Sequence, residues 1–384
     1  MSLRWMDGGE SHGKGLTVII DGIPAGLKIN PERINTYLQK RQKGYGRGGR
    51  MSIEKDVVDI RGGIRRGETT GSPVVIFIEN RDWINWKEKM DPFKVSGERL
   101  TKPRPGHADL PGYLKYNRRD LRDVLERSSA RQTATRTAVG AIAREILEKL
   151  GVYVTGFVRQ IGKIGFSGEV KSGKAIGEKI EKSIVRCPDE ETTKLMCEEI
   201  ERAKQEGDTL GGVIEVICEN VVPGLGTYVQ WDRRLDAHLA FSLMSIQAIK
   251  AVEIGSGIEN ASKRGSEVHD EIFYSRDKGY FRKTNRAGGI EGGTSNGENI
   301  VLRAYMKPIP TLRKRLHSVD VESKKEEFAF FERSDVCAVP SASVICEAAV
   351  SIELASFYLE KFGGDTMDEL RENLYHYNEY LKRK

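Results

Sequence analysis

The chain has 384 residues, 38% hydrophobic and 31% charged, which excludes a disordered polymer and fits one or two folded domains. With 62 Lys and Arg against 56 Asp and Glu, its net charge of +6 suits an anionic small molecule or weak nucleic-acid affinity. Five cysteines without C-x-x-C spacing argue against a zinc site or a disulfide framework and for a reducing cytoplasm; residues 1–9 lack the apolar core of a signal peptide, and no apolar run approaches the ~20 residues that span a bilayer.

In chain order, residues 16–21 read as a β-rich run with flanking glycines. Residues 31–43 read as a helix, with Pro31 in the first turn and Ile34 and Leu38 at helical spacing. Residues 53–60 and 74–79 read as strands. Residues 129–150 carry Ala134, Ala138, Val139, Ile142, Ile146 and Leu150 on a 3.6-residue stripe, opening at Ser129 and stopping at Gly151. Strands follow at 152–157 and 212–219, separated by a Lys/Glu-rich surface excursion over 161–206. Residues 235–254 and 342–362 read as two more helices, rich in Ala and Ser with little charge in their middles. A strand at 300–305 lies between them. Helices so uniformly apolar are buried on several sides. Strands around a buried helical core predict an α+β sandwich, not a doubly wound sheet. With no repeat and no linker, residues 1–384 read as one domain.

Two motifs mislead. Gly9-Glu10-Ser11-His12-Gly13 matches the nucleophile elbow G-x-S-x-G, but a strand follows it where the elbow needs a helix. Gly44-Tyr45-Gly46-Arg47-Gly48-Gly49 matches G-x-G-x-x-G, but a helix precedes it and a strand follows, the reverse of a dinucleotide turn.

Other features point to anions. Lys40, Arg41, Lys43, Arg47 and Arg50 fall within eleven residues, without an acid among them. That much like charge is costly unless an anion is bound, and Arg suits bidentate binding of phosphate or carboxylate. A solvated basic loop and an Arg-Gly segment binding RNA are the alternatives; the second has only Tyr45 as a stacking platform. Among six histidines, His12 and His107 stand out. Each is presented by a Gly/Pro turn beside a cation, where an imidazole can protonate a leaving phosphate. Arg127-Ser128-Ser129-Ala130-Arg131 at a helix start, the glycine loop 288–297 before Lys307-Pro308, and Arg333-Ser334-Asp335 before the last long helix are further anion-binding candidates. Together, with no P-loop and no metal cluster, they suggest one large site holding two anionic molecules.

Three segments carry a family resemblance: G-E-S-H-G-K-G-L-T-V-I-I-D at 9–21, E-R-S-S-A-R-Q-T-A-T-R-T-A-V-G-A at 126–141 and R-S-D-V-C-A-V-P-S-A-S-V-I-C-E-A at 333–348. R-P-G-H-A-D at 104–109, G-G-I-E-G-G at 288–293 and the loop 41–50 link them, so the match spans nearly the whole chain in order. The sequence resembles the chorismate synthase family.

That resemblance implies a lyase that converts 5-enolpyruvylshikimate 3-phosphate to chorismate and phosphate by 1,4-elimination, requiring reduced FMN without net redox change. It implies a cytoplasmic homotetramer, each subunit a helical core between two antiparallel sheets, with neither nucleic acid nor membrane as partner. NADPH-dependent flavin reduction occurs in some members of the family. Carried over, the resemblance makes His12 the acid for the departing phosphate and has His107 keep the proton balance of the reduced flavin. Asp335 helps remove a flavin proton. Ser11, Arg41, Arg47, Arg50, Arg104, Arg131 and Arg333 hold the substrate's anionic groups. Flavin contacts fall on Arg127, Ser128, Ser129, Gln247, Ala248, Gly292, Lys307, Pro308, Ile309, Pro310, Thr311 and Arg333. Asp7-Gly8 stands where the family usually has Thr-Ala, and Ile309-Pro310 where it commonly has Thr-Ser. A different flavin enzyme on the same scaffold is the other enzymatic reading, one with no need of the Arg cluster or of two turn histidines.

Overall fold

The computed structural model describes residues 3–47, 55–94, 97–277, 279–331 and 335–384. Arg50 and Arg333 therefore lie outside the described residues, as do Gly48 and Gly49. The first sheet contains β1 (Arg4–Gly8), β2 (Gly15–Asp21), β3 (Val58–Gly62) and β4 (Val74–Glu79), all antiparallel, in the order β1-β2-β4-β3. Alternation decides its faces: Leu16, Val18 and Ile20 of β2 and Val74, Ile76 and Ile78 of β4 are buried on one side. Between these strands run α1 (Pro31–Gln42), which Asn30 caps by accepting from the Glu32 N–H, and the segment 63–73.

The middle of the chain supplies α2 (Asp109–Tyr116), α3 (Arg122–Ser128) and α4 (Thr133–Lys149). A second antiparallel sheet combines β5 (Tyr153–Ile161), β6 (Ile164–Gly165), β7 (Gly212–Glu219), β8 (Ile249–Ile254) and β9 (Ile300–Met306), in the order β8-β9-β7-β5-β6. The excursion after β6 carries α5 (Gly173–Lys182) and α6 (Glu190–Glu206). The remaining helices longer than one turn among the described residues are α7 (Leu235–Met244), α8 (Val339–Phe362) and α9 (Met367–Leu381).

Helices α4 and α8 pack along each other; α4 also meets β2, and α8 meets β5 and β7 of the other sheet. The chain is thus α+β, as expected. The crossing is close because Gly140 faces Ala348: a Cβ at Gly140 would sit 2.3 Å from the Ala348 Cβ. By length and composition α8 could cross a membrane, which corrects the expectation that no run is apolar enough. Its apolar faces are used inside the protein, however, against α1, α4, α7, β5 and β7.

Two expected helices change. The one expected at 129–150 is preceded by a separate 3-10 turn, Ala130–Gln132, with Ser129 extended and its Oγ accepting from the Arg131 N–H. The one expected at 235–254 ends at Met244, and Ile249–Ile254 is a strand paired with β9. Ile249, Val252 and Ile254 are β-branched, and the open edge of β9 offers a ladder that a longer helix would leave unpaired. The strand expected from 53 begins at Val58, and that expected to end at 157 continues to Ile161.

Candidate active site

The loop between β1 and β2 carries Ser11 and His12. Gly9 holds φ at +113°, and a Cβ there would meet the Gly15 carbonyl oxygen at 2.3 Å, so the turn requires glycine. Asn80, at the end of β4, donates from Nδ2 to the carbonyls of Glu10, Ser11 and Gly13 at 3.1, 3.3 and 2.8 Å. One amide thereby fixes the loop from inside.

Glu126 of α3 grips His12. Its Oε2 accepts the His12 backbone N–H at 2.7 Å, and the imidazole Nδ1 lies 2.9 and 3.0 Å from Oε1 and Oε2. The Glu126 carbonyl accepts the Ser11 N–H at 3.0 Å, and Ser11 Oγ donates to Ser129 Oγ at 3.0 Å. Trp86 lies over the imidazole, 3.9 Å between ring centroids, and Arg122 reaches Glu126 Oε1 at 3.2 Å. Burial alone would push the Glu126 carboxyl up; the bonds from His12 and the charge of Arg122 outweigh it and hold it below the usual carboxylate range.

The arginines form a second group. Asp56 is fully buried and accepts from Arg41 Nη2 and Arg131 Nη1, each at 2.6 Å. Arg131 also donates to Asn80 Oδ1 at 2.8 Å, tying this group to the His12 loop. Arg41 Nη1 reaches Thr133 Oγ1 at 3.3 Å, while its Nε is buried without a partner among the described residues. Arg47 pairs with Asp335 at 2.7 Å, where the loop 44–47 packs on Pro340 and Cys337.

His107 repeats the His–carboxylate theme. Its Nδ1 lies 2.5 Å from Asp109 Oδ1, at the first turn of α2. Asp109 Oδ2 accepts from the Arg104 backbone N–H at 3.0 Å and from Arg104 Nε at 2.8 Å, and Arg104 Nη1 donates to Thr311 Oγ1 at 3.1 Å. Burial opposes ionisation of Asp109, but its bonds from His107 and Arg104 prevail and keep it strongly depressed.

A relay of contacts joins the two histidines. Lys307 Nζ donates to the Gly106 carbonyl, and the Lys307 N–H donates to the Ala248 carbonyl at 3.0 Å. Ala248 holds φ at +69°, in the left-handed region. Its neighbour Gln247 donates to Gln132 Oε1 at 2.8 Å. Asp7 then accepts from Gln132 at 3.4 Å, from Thr135 Oγ1 at 2.8 Å and from Arg127 Nη2 at 2.8 Å. Arg127 follows Glu126 directly.

Most of the expected site residues are therefore linked through chains of contacts. Ser128 ends α3, its Oγ turned back to the Leu125 carbonyl at 3.5 Å, so only Ser129 serves as a cap. Pro310 lies beside Gly106, the Ile309 carbonyl accepts from Thr209 Oγ1 at 2.7 Å, and Pro308 packs against Gly211. Gly292 stands apart, on a hairpin turn against Tyr228. Thr294, two residues on, has a buried Oγ1 without a partner among the described residues. A cleft of about 820 Å³ opens on the far side of Glu126, lined by Glu10, Lys89, Arg122, Arg127 and Ser128 among others.

Sequence reasoning missed the residues that hold the site: Asp7, Asp56, Asn80, Trp86, Asp109 and Glu126. Glu126 and Asp109 sit inside motifs already singled out; the charge of Asp109 two residues from His107 was an available signal, whereas Glu126 lies 114 residues from His12. Asp56 and Asn80 carried no local signal.

Comparison with known proteins gives the family. The family model described as chorismate synthase matches residues 3–359. The chorismate synthase of Geobacter metallireducens is 55% identical over 390 residues, covering 99% of both chains. That of Symbiobacterium thermophilum is 50% identical over 393 residues, covering all of both. A crystal structure of chorismate synthase superposes with a TM-score of 0.83 at 42% identity, covering 100% of this chain and 99% of the other.

Proposed function

Because the chain belongs to the chorismate synthase family, we propose that His12, His107 and Asp335 carry its chemistry and that the buried arginines hold its substrate. The reaction is the shikimate-pathway step that turns 5-enolpyruvylshikimate 3-phosphate into chorismate and phosphate, and the enzyme is a carbon–oxygen lyase. The C–O bond to phosphate breaks, a ring hydrogen leaves from the 1,4-related carbon, and a second ring double bond forms. The observation that carries the assignment is the relay from His12 to His107, each histidine with a carboxylate at Nδ1.

His12 donates a proton to the departing phosphate oxygen, while Arg41, Arg47 and Arg131, with Arg104 from the other end, offset the charge of the substrate and of the phosphate released. His107 holds a second proton at the Arg104 end. Asp335, paired with Arg47, accepts a proton.

The residues fit reduced FMN as cofactor. Arg127, Lys307 and the Ser129 cap offer donors to an anionic flavin, the backbone turn at Gln247–Ala248 links Lys307 to Gln132, Pro308–Thr311 continues from Lys307 past Gly106, and apart from them, on the hairpin that carries Gly292, the Thr294 hydroxyl has no partner among the described residues. When bound, reduced FMN supplies an electron-rich ring that lends charge to the allylic system as phosphate leaves. The chain's own part is to orient both molecules and supply protons. The packing of α4 on α8, with α4 against β2 and α8 against β5 and β7, supports reading residues 1–384 as one domain with helices layered between two sheets. A homotetramer is favoured by exposed Tyr228, Trp231 and Phe241 on and before α7. Cysteines that are free among the described residues suit a cytoplasmic site.

The test is anaerobic: mix protein, chemically reduced FMN and 5-enolpyruvylshikimate 3-phosphate, then follow phosphate and chorismate together. Equal rates that vanish with oxidised FMN support the reading. Binding without release would discard the assigned catalytic residues, and no binding would redirect attention to RNA at the Arg-Gly loop.

A further inference from the structure

His12 has two ring nitrogens, and the structure treats them differently. Nδ1 faces both oxygens of the Glu126 carboxylate, at 2.9 and 3.0 Å. That carboxylate is 2% exposed and also accepts the His12 backbone N–H and Arg122 Nη1. An ionised carboxylate only accepts hydrogen bonds, so Nδ1 must carry a hydrogen whether the ring is neutral or charged. Trp86 lies over one ring face; its own Nε1 is held by Asp82 at 3.0 Å, and Arg122 and Lys89 flank it at 5.0 and 5.4 Å from its centroid. The ring can neither flip nor tilt without breaking these contacts.

We propose that Glu126 is a positioning residue for the elimination: it locks His12 as the Nδ1–H tautomer, so that Nε2 is the atom through which the ring delivers and regains its proton. In the charged ring both nitrogens bear hydrogen. Transfer breaks the Nε2–H bond and forms an O–H bond on the phosphate, and the neutral ring left behind is the tautomer Glu126 prefers. No reorganisation of the ring accompanies the step. The proposal rests on the reading of His12 as the acid, and its test separates the two.

The experiment labels the histidine nitrogens with ¹⁵N and records their shifts in the resting protein at alkaline pH, with His12→Gln to assign the signal. The wild-type signal is expected at the Nδ1–H tautomer. Glu126→Gln has one acceptor and one amide NH2 donor where two acceptors stood; with its oxygen kept by the His12 backbone N–H, the NH2 faces Nδ1, so the Nε2–H form should take over. Its kcat should fall at least tenfold while KM stays within about threefold. A wild-type ring carrying its hydrogen on Nε2 overturns the proposal without any variant, even if Glu126→Gln fails to fold. A tautomer that persists in Glu126→Gln overturns it too. A tautomer that switches while kcat holds upholds the lock but sinks His12 as the acid, as would full turnover in His12→Ala.

Discussion

Asp56 bonds Arg41 at 2.6 Å with neither side chain more than 3% exposed, and Arg131 takes its other oxygen. Two buried guanidinium groups share one buried carboxylate. Asp56→Ala leaves two guanidinium groups facing each other in the interior, which should cost about 3–5 kcal/mol. Denaturant unfolding of wild type and variant measures it; a loss under 1 kcal/mol would show that the pair is not what holds these arginines.

The same group makes an acid-pH prediction. Burial pushes the Asp56 carboxyl up, but Arg41 and then Arg131 hold it below the usual carboxylate range. A depressed carboxylate contributes stability above its unfolded value, near 4, and loses it as pH falls through the folded value. Between about pH 5 and pH 2 the wild type should therefore lose more stability than Asp56→Asn. Parallel curves would contradict this.

His107→Ala should slow turnover by roughly 2–5 kcal/mol of barrier while changing substrate binding little, if proton transfer is its role. Asp109→Asn should differ, because Asp109 also latches Arg104. There kcat should fall and KM rise together. Steady-state kinetics with reduced FMN separate the two patterns, and wild-type turnover in His107→Ala would remove His107 from the mechanism.

Arg47→Ala breaks the ion pair with Asp335 and removes a cation proposed to hold the substrate. KM for 5-enolpyruvylshikimate 3-phosphate should rise at least tenfold, about 1.4 kcal/mol of binding. Calorimetric titration with the substrate checks the binding part apart from turnover, and unchanged affinity would place Arg47 outside the substrate pocket.

Gly140→Ala should destabilise the protein by about 1–3 kcal/mol, since the added methyl would overlap Ala348. Adding Ala348→Gly should recover part of that loss, a positive coupling readable from thermal unfolding of the double-mutant cycle. Additive losses would mean that the helices part instead of clashing.

Much of this protein was legible in one dimension. The strands Val74–Glu79 and Gly212–Glu219 and the body of α4 and α8 follow from periodicity, because a side chain's burial there depends on neighbours two to four residues away. The residue types of the site were legible too: His12, His107 and the arginines lie in short, glycine-rich motifs. What folding alone decided involves partners far apart in the chain. Residues 249–254 look helical in isolation and become a strand because β9 offers them a ladder. His12 gains its tautomer from a carboxylate 114 residues away, and Arg41 meets Arg131 only because Asp56 lies buried between them. Local sequence fixes which groups are available. Which pairs form is set by packing, since burying a charge is tolerable only where the fold brings its counter-charge.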